Sequence, residues 1–180
     1  MNSLLISLVL AAAAGQPLKT VDKVEIPRYL GSWYEIAKFP NSFQRNCVGA
    51  VATYSLRDDG DLTVVNSCRE KNLAGETRKA KGKAWLAEAG SSAKLYVRFF
   101  WPFKGDYWII DLGSDYEYAV VGEPGRKYLW ILSRTAALPE PVYGKILERL
   151  REQGYDVGRL EKTPQPTDAP AFPAPASGPA

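Results

Sequence analysis

The side chains of this sequence that could do chemistry are one carboxylate inside an apolar run and two cysteines. Glu35 lies within Trp33-Tyr34-Glu35-Ile36-Ala37, and a carboxylate buried there would need a tyrosine hydroxyl or an arginine beside it. Buried carboxylates transfer protons in many active sites, but no second catalytic group or cofactor motif accompanies this one. The chain contains no histidine, which excludes Ser-His-Asp and Cys-His catalysis, histidine-ligated haem and the usual histidine-containing zinc sites. We therefore expect a binding protein that needs no metal or other cofactor, rather than an enzyme.

The two cysteines, Cys47 and Cys68, stand at nearly equal distances on either side of the turn signal Asp58-Asp59-Gly60. Antiparallel strands flanking that turn would bring the two thiols within disulfide range. A disulfide closing a loop of this length would stabilise the fold by about 3 kcal/mol and would indicate an oxidising compartment. A free buried pair of thiols is the alternative.

An apolar run over residues 4–14 ends with the small residues Ala12-Ala13-Ala14, which suit signal-peptidase cleavage. The run is too short to span a bilayer, so residues 1–14 are interpreted as a secretory signal, with a hydrophobic N-terminus as the alternative. We expect a periplasmic or secreted protein. No cysteine follows the run, so a lipid anchor is not expected there.

The remaining composition indicates one domain with a lead-in and a tail. Residues 15–27 read as an irregular lead-in and residues 28–162 as the domain. The last segment, residues 163–180, contains six prolines and five alanines with few large apolar groups, which predicts a disordered tail. The net charge of +3 is mild and no basic run is interleaved with aromatics, so we do not expect a nucleic-acid partner.

Alternating apolar and polar residues separated by turn signals predict eight strands and no helix between them. The predicted strands cover residues 32–39, 48–57, 61–69, 77–86, 93–101, 106–112, 116–122 and 126–134. Short connections favour an antiparallel up-and-down meander, and eight strands can close into a barrel that holds one small ligand. A C-terminal helix over residues 138–153 would pack its apolar stripe of Tyr143, Ile146, Leu147 and Leu150 on the outside of the barrel.

In such a meander the first strand begins at the barrel end where the eighth strand finishes, an end that we call the floor. Trp33, the corner at Asp115-Tyr116, and Arg134 therefore converge there although they are far apart in sequence. A guanidinium can stack on an indole face and donate to nearby carbonyl groups, which would close the floor to water.

Three motifs carry a family resemblance: Gly31-Ser32-Trp33 at a strand start, Asp115-Tyr116 at a corner, and Ser133-Arg134-Thr135 at a strand end. In this order and spacing they resemble the lipocalins, and in particular the branch of bacterial outer-membrane lipocalins and apolipoprotein D. The resemblance covers about residues 29–160. It implies a calycin-like barrel that stores or transports a small lipophilic ligand, such as a fatty acid or a lysophospholipid.

Strand alternation predicts which side chains line the barrel interior, which we call the lumen. The predicted ligand-binding residues are Ala50, Ala52, Tyr54, Val64, Asn66, Val97, Phe99, Tyr107, Ile109, Val121, Tyr128 and Trp130. Small alanines mixed with hydroxyl-bearing aromatics favour an apolar slot with a few polar groups. A core filled by side chains is the alternative.

The opposite end of the barrel, which we call the mouth, should carry aromatic and basic side chains on its loops. These residues are Phe43, Trp101, Phe103, Arg45, Lys71, Lys104 and Arg126. We expect peripheral membrane contact at this mouth, with simple loop packing as the alternative. The sequence leaves open a monomer or a homodimer, and a lipid- or isoprenoid-modifying enzyme on the same scaffold.

Overall fold

The computed structural model describes residues 15–175 of the chain. The apolar run interpreted as a secretory signal and the last five residues lie outside the described residues.

Eight strands form the barrel, and every predicted strand is present. Their bounds are β1 Gly31–Lys38, β2 Cys47–Leu56, β3 Leu62–Glu70, β4 Thr77–Leu86, β5 Lys94–Phe100, β6 Phe103–Leu112, β7 Tyr118–Gly122 and β8 Leu129–Ser133. Each strand pairs antiparallel with the next one in sequence, and β8 pairs with β1, which closes the sheet on itself. The predicted fold, a closed antiparallel up-and-down barrel of eight strands, is confirmed.

Two α-helices accompany the barrel in the described part of the chain: α1 Ile26–Tyr29 before β1, and α2 Glu140–Glu152 after β8. The buried face of α2 contains Tyr143, Ile146 and Leu150, which pack with Leu129 and Ile131 from the outer side of β8. Leu147, the fourth residue of the predicted stripe, is partly buried against the same cluster, so the predicted C-terminal helix and its apolar stripe are confirmed. Within residues 15–175, no helix has both the length and the apolar character needed to cross a membrane.

The lead-in crosses the floor of the barrel before α1 begins. The Val21 amide donates to the Ile109 carbonyl at 3.0 Å, and the Val24 amide donates to Ser92 Oγ at 2.7 Å. Val24 is buried in the same apolar cluster as Trp33. This segment therefore closes the floor from below.

The chain after α2 returns along the outer wall of the barrel instead of leaving it. A short strand, β9 (Glu161–Lys162), pairs with the mouth end of β1, and residues 163–175, which we call the strap, continue toward the floor. The Phe172 ring stacks on Tyr34 with 4.4 Å between ring centroids, and the Phe172 amide donates to the Arg134 carbonyl at 2.7 Å. The structure thus corrects the expectation of disorder for residues 163–175, because single side chains of this proline-rich segment find specific partners on the barrel.

Candidate ligand-binding lumen

The floor is closed by an arginine stacked on a tryptophan. The Arg134 guanidinium carbon lies 3.6 Å from the centre of the Trp33 ring, which confirms that these two residues meet. The guanidinium donates to the carbonyls of Arg28 at 2.8 Å, Ser32 at 2.8 Å and Leu30 at 2.9 Å. Burial lowers the pKa of Arg134 to about 10, so the group remains a cation at neutral pH.

The corner between β6 and β7 carries two motif residues, Asp115 and Tyr116, and only Tyr116 packs at the floor. Tyr116 is buried, and the Arg28 guanidinium lies 4.2 Å from the centre of its ring. Asp115 is exposed, so its carboxylate does not join the plug that the sequence pattern predicts. Gly31 has a left-handed φ of 86°, and a Cβ there would lie 3.4 Å from Arg134 Nη1, which explains a glycine at this strand start.

Three tyrosine hydroxyls meet in the lower lumen. Tyr107 Oη lies 2.7 Å from both Tyr29 Oη and Tyr54 Oη. Burial raises the pKa of all three, that of Tyr54 to about 12, so they are protonated at neutral pH. The predicted lumen set includes Tyr54 and Tyr107 but misses Tyr29, because Tyr29 lies in α1, where strand alternation does not apply.

The lower half of the lumen is filled by side chains. Val64, Ile109 and Val121, which are all predicted lumen residues, are buried in one cluster with Trp33 and Tyr54. This half of the barrel therefore corresponds to the filled-core alternative.

The upper half of the lumen is more open. Strand register places Ala52 opposite both Trp33 and Asn66, so these residues share the inner face. The predicted lumen residues that are partly or largely exposed are Ala52, Asn66, Val97, Phe99, Tyr107, Tyr128 and Trp130. A Cβ at Gly82 would lie 2.8 Å from the Phe99 ring, so the missing side chain on β4 makes room for this aromatic. The accessible lumen is thus an aromatic-lined cup above the three tyrosines.

The remaining predicted lumen residue, Ala50, packs on the disulfide. Cys47 and Cys68 are bonded with their Cα atoms 5.4 Å apart, which confirms the predicted pairing. Ala50 forms a small buried cluster with the two cysteines, separate from the cluster of the lumen. A register shift between Val48 and Val51 interrupts the alternation from which the position of Ala50 was predicted.

Glu35 is buried in a polar network instead of facing a tyrosine or an arginine. Its carboxylate accepts hydrogen bonds from Gln44 Nε2 at 2.6 Å and Thr163 Oγ1 at 2.5 Å, and Lys38 Nζ lies 3.6 Å away. The same Gln44 accepts a hydrogen bond from Trp130 Nε1 at 2.8 Å. Gln44, a loop residue that sequence reasoning missed, thus connects a lumen tryptophan with the buried carboxylate.

The strap fills the seam where β1 and β2 separate. Direct pairing of the two strands ends at Tyr34 and Val51. Beyond that point, Gln165 Nε2 donates to the Glu35 carbonyl at 2.8 Å and to the Ala50 carbonyl at 2.9 Å. Two grooves of about 450 and 560 Å³ flank the strap outside the lumen.

This geometry agrees with the relationship that sequence comparison shows. Residues 24–165 match the lipocalin-like domain family. The chain belongs to the lipocalin family. Lipocalins generally bind and transport small hydrophobic ligands.

Relatives of this lipocalin occur in plants, bacteria and animals. Temperature-induced lipocalin-1 of Arabidopsis thaliana is 42% identical over 162 residues, covering 85% of each chain. Outer membrane lipoprotein Blc of Escherichia coli (strain K12) is 40% identical, covering 88% of this chain and 91% of Blc. Apolipoprotein D of Mus musculus is 34% identical, covering 80% and 78%. Among solved structures, insecticyanin from the tobacco hornworm Manduca sexta is similar in fold, with a TM-score of 0.66 at 21% identity, covering 87% of this chain and 89% of insecticyanin.

At the mouth of this lipocalin, the turn between β5 and β6 exposes three aromatic side chains. Phe100, Trp101 and Phe103 are 75%, 81% and 77% exposed. Lys104 Nζ lies 3.4 Å from the centre of the Tyr96 ring beside them. Arg126, which was also expected among these side chains, instead donates to the Gln153 carbonyl at 2.7 Å at the end of α2. We call Phe100, Trp101 and Phe103 the rim.

Proposed function

We propose that this lipocalin carries a single-chain amphiphile, a fatty acid or a lysophospholipid, in the upper lumen. The observation that carries the proposal is the partly exposed aromatic lining above a floor sealed by Arg134 and Trp33. A closed floor and an accessible apolar cup suit a long, narrow ligand that enters from the mouth and buries its apolar chain away from water. Affinity then comes chiefly from burial of the acyl chain.

The rim supports loading from a membrane surface. Three neighbouring aromatics with more than 70% exposure form an apolar patch that is unusual on a soluble surface unless it meets a partner. Exposed cations at Arg45, Lys71 and Lys104 on the mouth loops would be attracted to anionic headgroups. We infer that the mouth touches an anionic bilayer while an amphiphile passes into the lumen.

The disulfide supports a place of action in an oxidising compartment, because such bonds persist in the periplasm and outside cells. We infer that the protein acts in the periplasm or after secretion.

Displacement of a fluorescent fatty-acid probe tests the ligand proposal. Trp130→Ala removes a ring of the lumen and should weaken probe binding about tenfold, which corresponds to about 1.4 kcal/mol of lost contact. The matched control is Trp85→Ala, because Trp85 lies on the outer side of β4 next to Tyr96 and should leave affinity unchanged. Absence of saturable probe binding by the folded wild-type protein would refute the proposal.

Sedimentation with anionic phosphatidylglycerol vesicles tests the membrane proposal separately. The double variant Trp101→Ser and Phe103→Ser should lose most vesicle binding and keep probe affinity. The control is Leu56→Ser and Leu86→Ser, which removes two exposed leucines, 61% and 50%, at the floor end of the barrel. If the rim variant sediments with vesicles as the wild type does, loading does not use the rim.

A further inference from the structure

The floor of the lumen contains a buried cation without an anionic partner. Arg134 is 5% exposed, and its donors go to backbone carbonyls, which carry no net charge. None of the ion pairs formed within residues 15–175 includes Arg134. A buried charge is normally paired, and its field reaches further in a low-dielectric interior than in water. The closed end of the lumen therefore carries a positive potential.

The tyrosine trio lies between this cation and the open part of the lumen. Tyr29 packs on Trp33 with 5.0 Å between ring centroids, and Arg134 lies on the same indole. Tyr29 and Tyr54 are buried, whereas Tyr107 is partly exposed. Tyr107 thus presents the hydroxyl that a molecule in the upper lumen reaches first.

The hydrogen bonds within the trio leave donor capacity unused. Three hydroxyl groups carry three protons, and the two contacts between them use only two. Because hydroxyl hydrogens rotate, a second proton can turn toward an incoming acceptor when one internal bond opens. The high pKa values of the buried tyrosines keep these groups protonated, so they act as donors at neutral pH.

From this arrangement we propose that the tyrosine trio binds the carboxylate of a fatty acid at the base of the upper lumen, with the carboxylate end of the ligand toward the floor. One or two tyrosine O–H groups of the trio donate to the carboxylate, and the unpaired charge of Arg134 attracts it from below without contact. The acyl chain then extends along Phe99 and Trp130 to the mouth. This inference rests on the proposed function and narrows it, because the side chains that fill the lower lumen leave no room beside the trio for the bulky headgroup of a lysophospholipid.

Calorimetry with dodecanoate and its methyl ester tests the subsite. Both ligands present the same chain, but only the acid carries a negative charge. We expect the wild type to bind dodecanoate at least tenfold more tightly than the ester. Tyr107→Phe should lower dodecanoate affinity about tenfold and change ester affinity less than twofold. Tyr96→Phe is the matched control, since Tyr96 lies on the outer side of β5, packed against Trp85, and should leave both affinities unchanged.

A second measurement reports ligand orientation. Stearate with a nitroxide at carbon 5 should broaden the NMR amide signals of Ala119 on β7 and Val64 on β3, whereas a nitroxide at carbon 16 should broaden those of Phe43 and Gln44. The reverse pattern would overturn the head-down orientation. Equal affinity for acid and ester, unchanged by Tyr107→Phe, would overturn the subsite while leaving the carrier function intact. Absence of saturable binding of either ligand would overturn both.

Discussion

Replacing Glu35 by glutamine should destabilise the barrel, although the two side chains have nearly the same shape. Glu35 and Lys38 are 4% and 7% exposed, and Lys38 Nζ lies 3.6 Å from the Glu35 carboxylate. Glu35→Gln removes the negative charge and leaves the ammonium group of Lys38 buried without a counter-charge. The hydrogen bonds from Gln44 and Thr163 also change from charge-assisted to neutral ones.

The size of the effect follows from the burial of both partners. Removing one member of a buried ion pair costs about 3–5 kcal/mol, because the other charge stays desolvated. For a chain of this size, 1 kcal/mol lowers the melting temperature by about 2–4 °C. A loss of about 3 kcal/mol therefore predicts a melting temperature about 6–12 °C lower.

Urea denaturation followed by tryptophan fluorescence measures this loss, with an unchanged slope showing that the unfolding transition is the same. Glu76→Gln is the matched control, since Glu76 is exposed beside the start of β4 and should leave stability unchanged. The double variant Glu35→Gln and Lys38→Met removes both charges. It should be more stable than Glu35→Gln alone, because no buried ion remains unpaired.

A Glu35→Gln variant within 1 kcal/mol of the wild type would refute the reasoning, since the pair would then not be energetically coupled. The prediction also affects any assay for lipid-modifying activity. If Glu35→Gln loses turnover, the fraction of folded protein has to be measured as well, because this carboxylate connects the strap with the segment that contains Gln44. Unfolding alone could then account for the lost activity.

Three further predictions concern stability. Replacing Cys47 and Cys68 by alanine should lower the free energy of unfolding by about 3 kcal/mol, since the bond closes a loop with a sequence separation of 21. Phe172→Ala should cost about 2 kcal/mol and speed amide exchange in the strap, because the ring that stacks on Tyr34 is lost. Burial raises the pKa of Tyr54 from 10.0 to about 12, so its contribution to stability is complete below pH 10 and lost as pH rises to about 12.

Each of these predictions has a clear opposing result. Reduction of the disulfide without a change in the urea midpoint would contradict the first. Exchange in the strap as fast in the wild type as in Phe172→Ala would show that the strap does not pack on the barrel in solution. Spectrophotometric titration in which every tyrosine of the folded protein ionises near pH 10 would contradict the third.

Local patterns in the sequence were sufficient for the barrel. Strand alternation correctly places Trp130 on the inner face of β8 and Leu129 and Ile131 on the outer face. This works because side chains in a strand alternate with a period of two and because short turns force antiparallel neighbours. The pairing of Cys47 with Cys68 follows from the same geometry, since both are counted from one hairpin turn.

Alternation failed where the backbone departs from a regular strand. The register shift in β2 moves Ala50 from the lumen to the disulfide, and the corner exposes Asp115 while burying Tyr116. Tyr29 and Gln44 have no strand pattern at all, because Tyr29 lies in α1 and Gln44 in a short 3-10 helix between β1 and β2. Their roles depend on hydrogen bonds to residues distant in sequence.

The sequence by itself determined that the chain forms an eight-stranded barrel and that the disulfide closes the hairpin of β2 and β3. It also determined that an arginine stacked on a tryptophan closes one end of the barrel. Those features depend on periodicity, turn residues and strand direction, which are local properties. Only the tertiary structure decided that the proline-rich strap docks on the seam, that Glu35 joins it to the mouth loop, and that three tyrosines meet above Arg134. These contacts form between side chains that only the closed barrel brings within hydrogen-bonding distance.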